Sequence, residues 1–312
     1  MKKAFVFPGQ GSQKVGMLKD LYEAYPVVKQ TFEEADDALG FSLTKLCFEG
    51  PDEDLMMTYN TQPAILTAST ACSRVLSQEG FEPDIVAGHS LGEYSALVAA
   101  KALTFADAVR TVRARGQFMQ EAVPFGEGGM AAILGLDAEK IVDICQKISA
   151  EGGPVQAVNF NCPGQIVIAG AAKAVETAAE EMKAAGAKRA ILLHVSAPFH
   201  STLMEPAAAR LADVLEDIAI ADAQIPVVAN VDGKVETDAA AIKAALVKQA
   251  ASPVLWIDCC HTMVEFGAQV FVEVGPGKVL SGFNRKIDKS IQSQNVEDIP
   301  SLQKTLEFFQ GG

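Results

Sequence analysis

The sequence predicts an α/β fold that carries a second, smaller α/β unit as an insertion. Short apolar runs alternate with longer segments of helical period along most of the 312 residues, which is typical of sheets covered by helices. A cluster of glycine, proline and charged residues at 124–129 interrupts this alternation, and such clusters mark boundaries. The order of strands and helices then changes beyond it. Apolar residues make up 49 % of the chain, so a sizeable buried core is possible.

The chain before residue 127 predicts a strand, several helices and a strand–helix pair. An apolar run at 4–7 is the first strand, and a second one at 84–88 leads directly into the helical pattern at 93–100. The remaining predicted helices of this part cover 20–39, 63–79 and 105–122.

The middle of the chain has the order β-α-β-β-α-β, which defines a ferredoxin-like unit. We therefore predict a ferredoxin-like small subdomain at 127–198, inserted into a large subdomain formed by 1–126 and 199–312. The predicted elements are a strand at 130–134, a helix at 138–150, strands at 155–159 and 165–169, a helix at 172–185 and a strand at 189–193.

The large subdomain resumes after Pro198, again with helices and strands in alternation. A polar stretch at 292–297 is interpreted as a loop that precedes a last short helix. The other predicted elements are helices at 202–216, 239–250 and 256–266 and strands at 226–230 and 270–274.

Charge and cysteine usage exclude several classes of function. The net charge of -13 disfavours nucleic-acid binding, which needs a basic surface. No segment approaches the roughly 18 consecutive apolar residues of a membrane span. The six cysteines form no C-x-x-C pair, so free thiols in a reducing cytoplasm are expected.

The segment Gly88-His89-Ser90-Leu91-Gly92 matches the G-x-S-x-G nucleophile elbow. A strand before it and a helix after it are the context in which such a turn presents a serine hydroxyl above a sheet. The helix N-terminus adds free N–H groups and a partial positive charge. An ordinary tight turn is the alternative, because glycine and serine are common in loops.

A serine nucleophile needs a base, and the chain has four histidines. His89 adjoins Ser90 on a tight turn, where neighbouring side chains point apart. His194 closes an apolar strand and His261 lies in a helical pattern, so structural roles are expected for both. His200 lies in a loop at the predicted subdomain boundary, where clefts form. We predict that it is the base; the alternative is a histidine at a helix N-terminus.

Two N–H donors are needed for an oxyanion hole. Leu91 follows the nucleophile and would supply one, and the glycine-rich loop at 7–13 would supply the second. A phosphate-binding loop is the competing interpretation of 7–13, but the third glycine and the lysine of such loops are missing.

No acid stands out in the sequence as the group that would orient the histidine. The candidates lie mostly on one helix face of the insert, so a backbone carbonyl is the other possibility; they are Asp137, Glu139, Asp143 and Glu151. Arg115 precedes a glycine on a helix and points away from Arg110. A guanidinium turned inward there would clamp a carboxylate, although most helical arginines are solvated.

Six motifs in the same order resemble one family, the malonyl-CoA:acyl carrier protein transacylases of type II fatty acid synthesis. The resemblance spans nearly the whole chain and implies an α/β-hydrolase-like large subdomain with a ferredoxin-like insert. The motifs are Phe7-Pro8-Gly9-Gln10-Gly11-Ser12-Gln13, Gly88-His89-Ser90-Leu91-Gly92-Glu93, Arg115-Gly116, Asn159-Phe160-Asn161-Cys162-Pro163-Gly164-Gln165, Pro198-Phe199-His200-Ser201 and Glu273-Val274-Gly275-Pro276-Gly277.

The resemblance also implies roles for individual residues. Ser90 would carry the malonyl ester, His200 would be the base, and the backbone carbonyl of Gln249 would hold the histidine. Gln10 and Leu91 would form the oxyanion hole, and Arg115 would pair with the malonyl carboxylate. The residues expected to contact the substrate beside Arg115 are His89, Asn159, Asn161 and Phe199.

The implied reaction moves malonyl from malonyl-CoA to acyl carrier protein, with no metal or redox cofactor. Phe199 stands where many relatives have a serine and resembles malonyl-selecting domains of polyketide synthases. A serine esterase or thioesterase and a non-catalytic carrier-protein binding module are the alternatives. Seven basic residues are candidates for contacts with CoA phosphates or with the carrier protein: Lys183, Lys188, Arg189, Lys278, Arg285, Lys286 and Lys289.

Overall fold

The computed structural model describes residues 1–195 and 197–311, which form a six-stranded and a four-stranded sheet with helices packed on them. The strands are β1 Lys2–Phe7, β2 Ile85–Gly88, β3 Gly128–Leu134, β4 Val155–Cys162, β5 Gln165–Ala171, β6 Arg189–Leu192, β7 Val227–Val228, β8 Val235–Glu236, β9 Ala268–Val274 and β10 Gln292–Val296. The helices are α1 Lys19–Ala24, α2 Pro26–Leu39, α3 Leu43–Glu49, α4 Asp52–Met56, α5 Thr58–Gln78, α6 Gly92–Ala99, α7 Phe105–Glu121, α8 Ala138–Glu151, α9 Ala172–Ala184, α10 Glu205–Glu216, α11 Ala239–Gln249, α12 Trp256–Glu265, α13 Val279–Ile287 and α14 Ile299–Gln310.

The larger sheet has the strand order β10-β9-β1-β2-β7-β8. All neighbouring pairs are parallel except β7 and β8, which are antiparallel. Its central strands are buried on both faces, because Phe5 and Phe7 contribute to one apolar core while Ala4 and Val6 contribute to another. A continuous apolar run is what a doubly covered parallel sheet requires.

The smaller sheet is antiparallel, with the order β4-β5-β3-β6. Helices α8 and α9 cover one face with a separate core that includes Ile133, Ile168 and Met182. The opposite face presents Met130 and Val167 toward the large sheet's side of the molecule, where Phe199 packs against them. The predicted mixed α/β fold with its inserted βαββαβ unit is confirmed.

Strand β4 fixes the two parts to each other. The Val254 N–H donates to the Val158 carbonyl at 2.7 Å, and the Phe160 N–H donates to the Val254 carbonyl at 3.0 Å. The Thr202 N–H also donates to the Gln156 side chain at 2.7 Å. The chain just after α11 therefore extends the edge of the smaller sheet.

Two predicted helices have different bounds in the structure. The pattern at 20–39 is divided at Tyr25, because Pro26 begins a new helix and fixes an extended residue before it. The helix predicted from Pro63 begins at Thr58 instead. Its almost complete burial stabilises the turn that lacks the proline N–H.

The C-terminal region contains two elements that the sequence analysis did not identify. The stretch at 292–297 is largely a strand, because β10 pairs in parallel with β9 and so gains hydrogen bonds that its polar composition does not reveal. Helix α13 follows the glycine-rich turn at 275–277. No helix in the described part of the chain is long and apolar enough to span a bilayer.

Gly116 sets the distance between α5 and α7. A Cβ at this position would lie 2.5 Å from Tyr59 Cα and 2.9 Å from the Thr58 carbonyl oxygen, both backbone atoms of α5. Because neither helix can shift without disturbing the core, a methyl group added at Gly116 would overpack the contact between α5 and α7. Gly282 offers a matched comparison, since it lies inside α13 with nothing within 4 Å of a Cβ.

We expect Gly116→Ala to lower the free energy of unfolding by about 1–3 kcal/mol, the usual range for overpacking. Gly282→Ala should leave it unchanged or raise it by about 0.5–1 kcal/mol, because alanine favours a helix interior. Urea denaturation followed by circular dichroism measures both. Equal changes for the two variants would contradict the close approach of α5 and α7.

Candidate active site

The nucleophile elbow has the predicted strand–turn–helix context. Ser90 lies between β2 and α6 with a φ of 53°, a left-handed conformation that is strained for a serine. Glycine is required on both sides of it. A Cβ on Gly88 would lie 1.9 Å from the Gly92 carbonyl, and a Cβ on Gly92 would lie 2.2 Å from the Phe7 oxygen.

The structure brings Ser90 and His200 together across 110 positions of sequence. Ser90 Oγ lies 2.7 Å from His200 Nε2, and His200 Nδ1 lies 2.9 Å from the backbone carbonyl oxygen of Gln249. A carbonyl only accepts, so Nδ1 carries the ring proton and Nε2 is free to accept from the serine hydroxyl. This is the arrangement of a nucleophile and its general base.

Burial, together with the nearby Arg115 cation, lowers the pKa of His200 to about 3. The imidazole is therefore neutral at pH 7, as a base must be before it accepts a proton. A backbone carbonyl in place of a carboxylate leaves no formal charge in direct contact with the ring.

The other three histidines are not in a position to act on Ser90. His89 is half-buried, with its Nε2 2.7 Å from Asn161 Oδ1 and its ring centroid 5.7 Å from that of Trp256. His194 and His261 are exposed. His89 thus joins the elbow to β4 of the smaller sheet.

Arg115 turns inward and is 2 % exposed. Its guanidinium donates to Gln62 Oε1 at 2.7 Å, to Gln249 Oε1 at 2.9 Å and to Ser90 Oγ at 3.2 Å. In residues 1–195 and 197–311 no carboxylate accepts a hydrogen bond from this guanidinium, and its Nε has no partner. A buried cation whose described hydrogen-bond acceptors are all neutral has the chemistry expected of an anion-binding group beside the nucleophile.

Gln10 and Leu91 line the same cavity as Ser90. Within the described residues, neither backbone N–H donates to a protein acceptor. The loop before Gln10 is held close to the elbow, because a Cβ on Gly9 would lie 2.6 Å from the His89 carbonyl oxygen. Two free N–H groups near one serine are what an oxyanion hole requires.

The remaining predicted contact residues surround the cavity from the side of the smaller sheet. Asn159 and Phe199 line the cavity with Ser90, and Asn159 Oδ1 is buried without a hydrogen-bond partner in the described chain. Asn161 lines an adjoining cavity and contacts His89. Their contact with a substrate remains a prediction.

The sequence analysis missed three polar residues that contact these groups. Gln62 accepts from Arg115, while Glu93 and Asn230 lie buried beneath the elbow. A signal existed for two of them. Glu93 is an acid within an otherwise apolar helix, and Asn230 follows a strand at the edge where Ser90 lies.

The fold and this geometry define an acyltransferase, and the chain belongs to the acyl transferase domain family, whose model matches residues 4–310. Two of its relatives carry the same description. The malonyl CoA-acyl carrier protein transacylase of Bacillus subtilis (strain 168) is 52 % identical over 306 residues, covering 98 % of this chain and 96 % of that protein. The Escherichia coli K12 protein of the same name is 52 % identical over 306 residues, covering 98 % and 99 %.

Solved structures agree with the sequence relatives. An acyl-carrier-protein S-malonyltransferase from Burkholderia pseudomallei 1710b has a TM-score of 0.96 and 51 % identity, covering 98 % of this chain and all of that chain. A malonyl-transacylase in complex with a type II polyketide synthase acyl-carrier protein has a TM-score of 0.96 and 50 % identity, with coverage of 99 % and 100 %. The family resemblance carried by the motifs is confirmed.

We expect His200 to remain the neutral Nδ1–H tautomer at pH 8 and at about pH 5.5, because its pKa lies well below 6.5. Nitrogen-15 NMR of labelled imidazoles measures this directly, and an imidazolium signal from His200 at pH 5.5 in the folded protein would contradict it.

The lowered pKa of His200 also makes the stability of the protein depend on pH. Between about pH 6.5 and pH 3 the unfolded chain binds a proton at His200 that the folded protein does not bind. His200 therefore contributes stability above about pH 6.5 that is lost as the pH falls toward 3.

Proposed function

We propose that this protein transfers a malonyl group from malonyl-CoA to the phosphopantetheine thiol of acyl carrier protein through an ester on Ser90. The observation that carries this proposal is Arg115, a buried guanidinium 3.2 Å from Ser90 Oγ whose hydrogen-bond partners among the described residues are neutral. A malonyl group carries a carboxylate at the end opposite its thioester. It can therefore pair with Arg115 while its thioester carbon lies at Ser90.

In the first half-reaction, His200 Nε2 takes the Ser90 proton while Oγ attacks the thioester carbon. The carbonyl oxygen becomes an oxyanion, for which the free N–H groups of Gln10 and Leu91 are the proposed donors. The carbon–sulfur bond then breaks, the proton passes from His200 to the sulfur, and CoA leaves as a thiol. Ser90 now carries the malonyl ester.

The second half-reaction reverses these steps with a different thiol. His200 takes the proton of the phosphopantetheine thiol, whose sulfur attacks the ester carbon. The proton then returns to Ser90 as the ester bond breaks, and the serine is regenerated. CoA must leave before the carrier protein binds, so the mechanism is ping-pong.

The acceptor in this proposal is an acidic carrier protein. Val279, Leu280 and Phe283 of α13 line a second cavity, which shares Gln10 and Asn159 with the cavity that Ser90 lines. The last turn of the same helix carries Arg285 and Lys286. Positive charge on the helix that lines this cavity suits CoA phosphates and an acidic partner, although the whole chain carries -13.

A serine esterase or thioesterase is a weaker candidate, because a buried guanidinium forms no ion pair with a neutral acyl group.

A second role, malonyl supply to a polyketide carrier protein, is favoured by Phe199. This ring lines the cavity beside Ser90, where it narrows the space for a branched acyl group. The relative solved with a polyketide carrier protein supports the same candidate.

We also place the reaction in the cytoplasm, because the six cysteines are buried free thiols.

Incubation with malonyl-CoA should add one malonyl group to the chain, and peptide mapping should locate it on Ser90. Ser90→Ala should stay unmodified, whereas Ser95→Ala, a change on the helix that follows Ser90 and outside the proposed mechanism, should be loaded like the parent. Intact-mass spectrometry checks all three. A parent chain that stays unmodified would favour a binding module over an enzyme.

Arg115→Ala should lower kcat/KM for malonyl-CoA by about 100-fold, since one buried charge-assisted pair is lost. Loading from acetyl-CoA, which has no carboxylate, should change much less. Arg113→Ala is the matched control, because Arg113 lies on the same helix and stacks on Phe41 and Tyr59 away from Ser90. Single-turnover loading assays with both substrates measure this selectivity. Equal losses for malonyl and acetyl would exclude Arg115 as the carboxylate site.

A further inference from the structure

The mechanism above leaves one buried carboxylate beside the nucleophile without a role. Glu93 lies in the first turn of α6, three residues after Ser90, and is 3 % exposed. Burying an acid costs free energy unless its oxygens are hydrogen-bonded. An acid retained at such a place, next to the reacting serine, needs an explanation.

A single oxygen of this carboxylate holds two other buried residues. Glu93 Oε2 accepts from the backbone N–H of Asn230 at 2.9 Å and from Nε2 of Gln249 at 3.0 Å. Both donors come from distant parts of the chain, after β7 and at the end of α11. Glu93 thus joins three elements beneath the site.

Asn230 holds the backbone of the elbow. Its Oδ1 accepts from the Ser90 N–H at 2.7 Å, and its Nδ2 donates to the Gly88 carbonyl at 2.7 Å. These two bonds fix the turn on either side of His89. The strained φ of Ser90 is maintained by contacts of this kind.

Gln249 reaches the other groups of the site. Its Nε2 also donates to the Ser90 carbonyl at 2.8 Å, while its Oε1 accepts from Arg115 at 2.9 Å. Its backbone carbonyl accepts from His200 at 2.9 Å. The residue that orients the base is therefore itself oriented by Glu93.

We propose that Glu93 is the acid that supports the Ser90–His200 pair. In a serine–histidine–acid triad the acid contacts the histidine directly, whereas here one residue, Gln249, lies between the acid and the histidine. It acts as a positioning residue through Asn230 and Gln249, and its negative charge favours the positive charge that His200 gains with the serine proton. This inference rests on the proposed function. It extends that function by assigning the acid that the sequence analysis did not find.

The charge of Glu93 depends on its surroundings. Burial, partly offset by the hydrogen bonds from Asn230 and Gln249, raises its pKa to about 7. Among the described residues, the charged and titratable groups that interact with it are Arg115 on α7, Asp232 after β7, Tyr94 on its own helix and Cys259 on α12. The acid therefore passes from mostly neutral to mostly ionised between about pH 6 and about pH 8.5.

Glu93→Gln separates the charge from the hydrogen bonds. The amide oxygen of glutamine can accept from both donors, so the geometry is retained while the charge is lost. In the parent, kcat/KM for loading of Ser90 should rise about tenfold between about pH 6 and about pH 8.5. In Glu93→Gln this rise should be absent, and the two proteins should converge near pH 6.

The choice of acyl donor tests the route of the effect. Because Glu93 acts on Ser90 and His200, loading from malonyl-CoA and from acetyl-CoA should fall by similar factors. Loss for malonyl-CoA alone would show that Glu93 serves only as a counter-charge of Arg115, and would overturn the proposal. So would a loss that is equal at every pH, since a purely structural role lowers activity by one factor.

Glu273→Gln is the matched control. Glu273 is also a fully buried acid, but it accepts from the Leu280 and Ser281 N–H groups at the start of α13 and has no bond to Asn230 or Gln249. This variant should keep the parent's rise with pH, whatever its stability. A control that also loses the rise would mean that the pH dependence does not come from Glu93.

Thermal unfolding decides whether Glu93→Gln is folded. If it is not, Gln249→Met removes the same connection, because the backbone carbonyl that holds His200 is kept while the side-chain amide is lost. It should also lose the rise with pH, and a retained rise would overturn the proposal. Failure of the parent itself to load malonyl would refute the proposed function, whereas a parent that loads and a variant that matches it would refute only this inference.

Discussion

The site depends on one contact, the 2.7 Å approach of Ser90 Oγ to His200 Nε2. Both residues have positive φ values, 53° and 64°, which side chains with a Cβ rarely adopt. Neither conformation is favoured locally, so each must be imposed by the surrounding fold. The elbow is imposed by Gly88 and Gly92, which allow the turn to close, and the histidine is held by the carbonyl at the end of α11.

The distribution of charge follows from the choice of a carbonyl as the partner of His200. A neutral acceptor orients the ring without adding charge, so the ring stays unprotonated in its buried position. The formal charges of the site lie on either side of Gln249, with Arg115 at its Oε1 and Glu93 at its Nε2. One amide therefore separates a cation that lines the cavity with Ser90 from an anion that faces the protein interior.

The sequence predicts those site residues that are placed by neighbouring residues in the chain, and it does not predict those placed by contacts that are distant in sequence. The elbow was recognised because its strand, turn and helix are contiguous, and His200 was reached by elimination among four histidines. Arg115 was noticed through Gly116, whose missing side chain allows α5 to pack closely. The position of Asn230 after a strand is visible in the sequence, but its bond to the Ser90 N–H spans 140 positions, so no local pattern shows which group it holds. For the same reason β10 was interpreted as a loop, since only its pairing with β9 makes it a strand.

The short segment from Gln249 to Val254 couples the chemistry to the shape of the acyl pocket. At one end the Gln249 carbonyl holds the base, and at the other Val254 pairs with Val158 and Phe160 of β4. Strand β4 carries Asn159 into the cavity. Since only four residues lie between the two contacts, the smaller sheet cannot move far along this edge without disturbing the histidine. The position of Asn159 at the cavity and the alignment of the base are thus set by the same piece of backbone, which is why a cavity formed between two sheets can still hold Ser90 and His200 within hydrogen-bond distance.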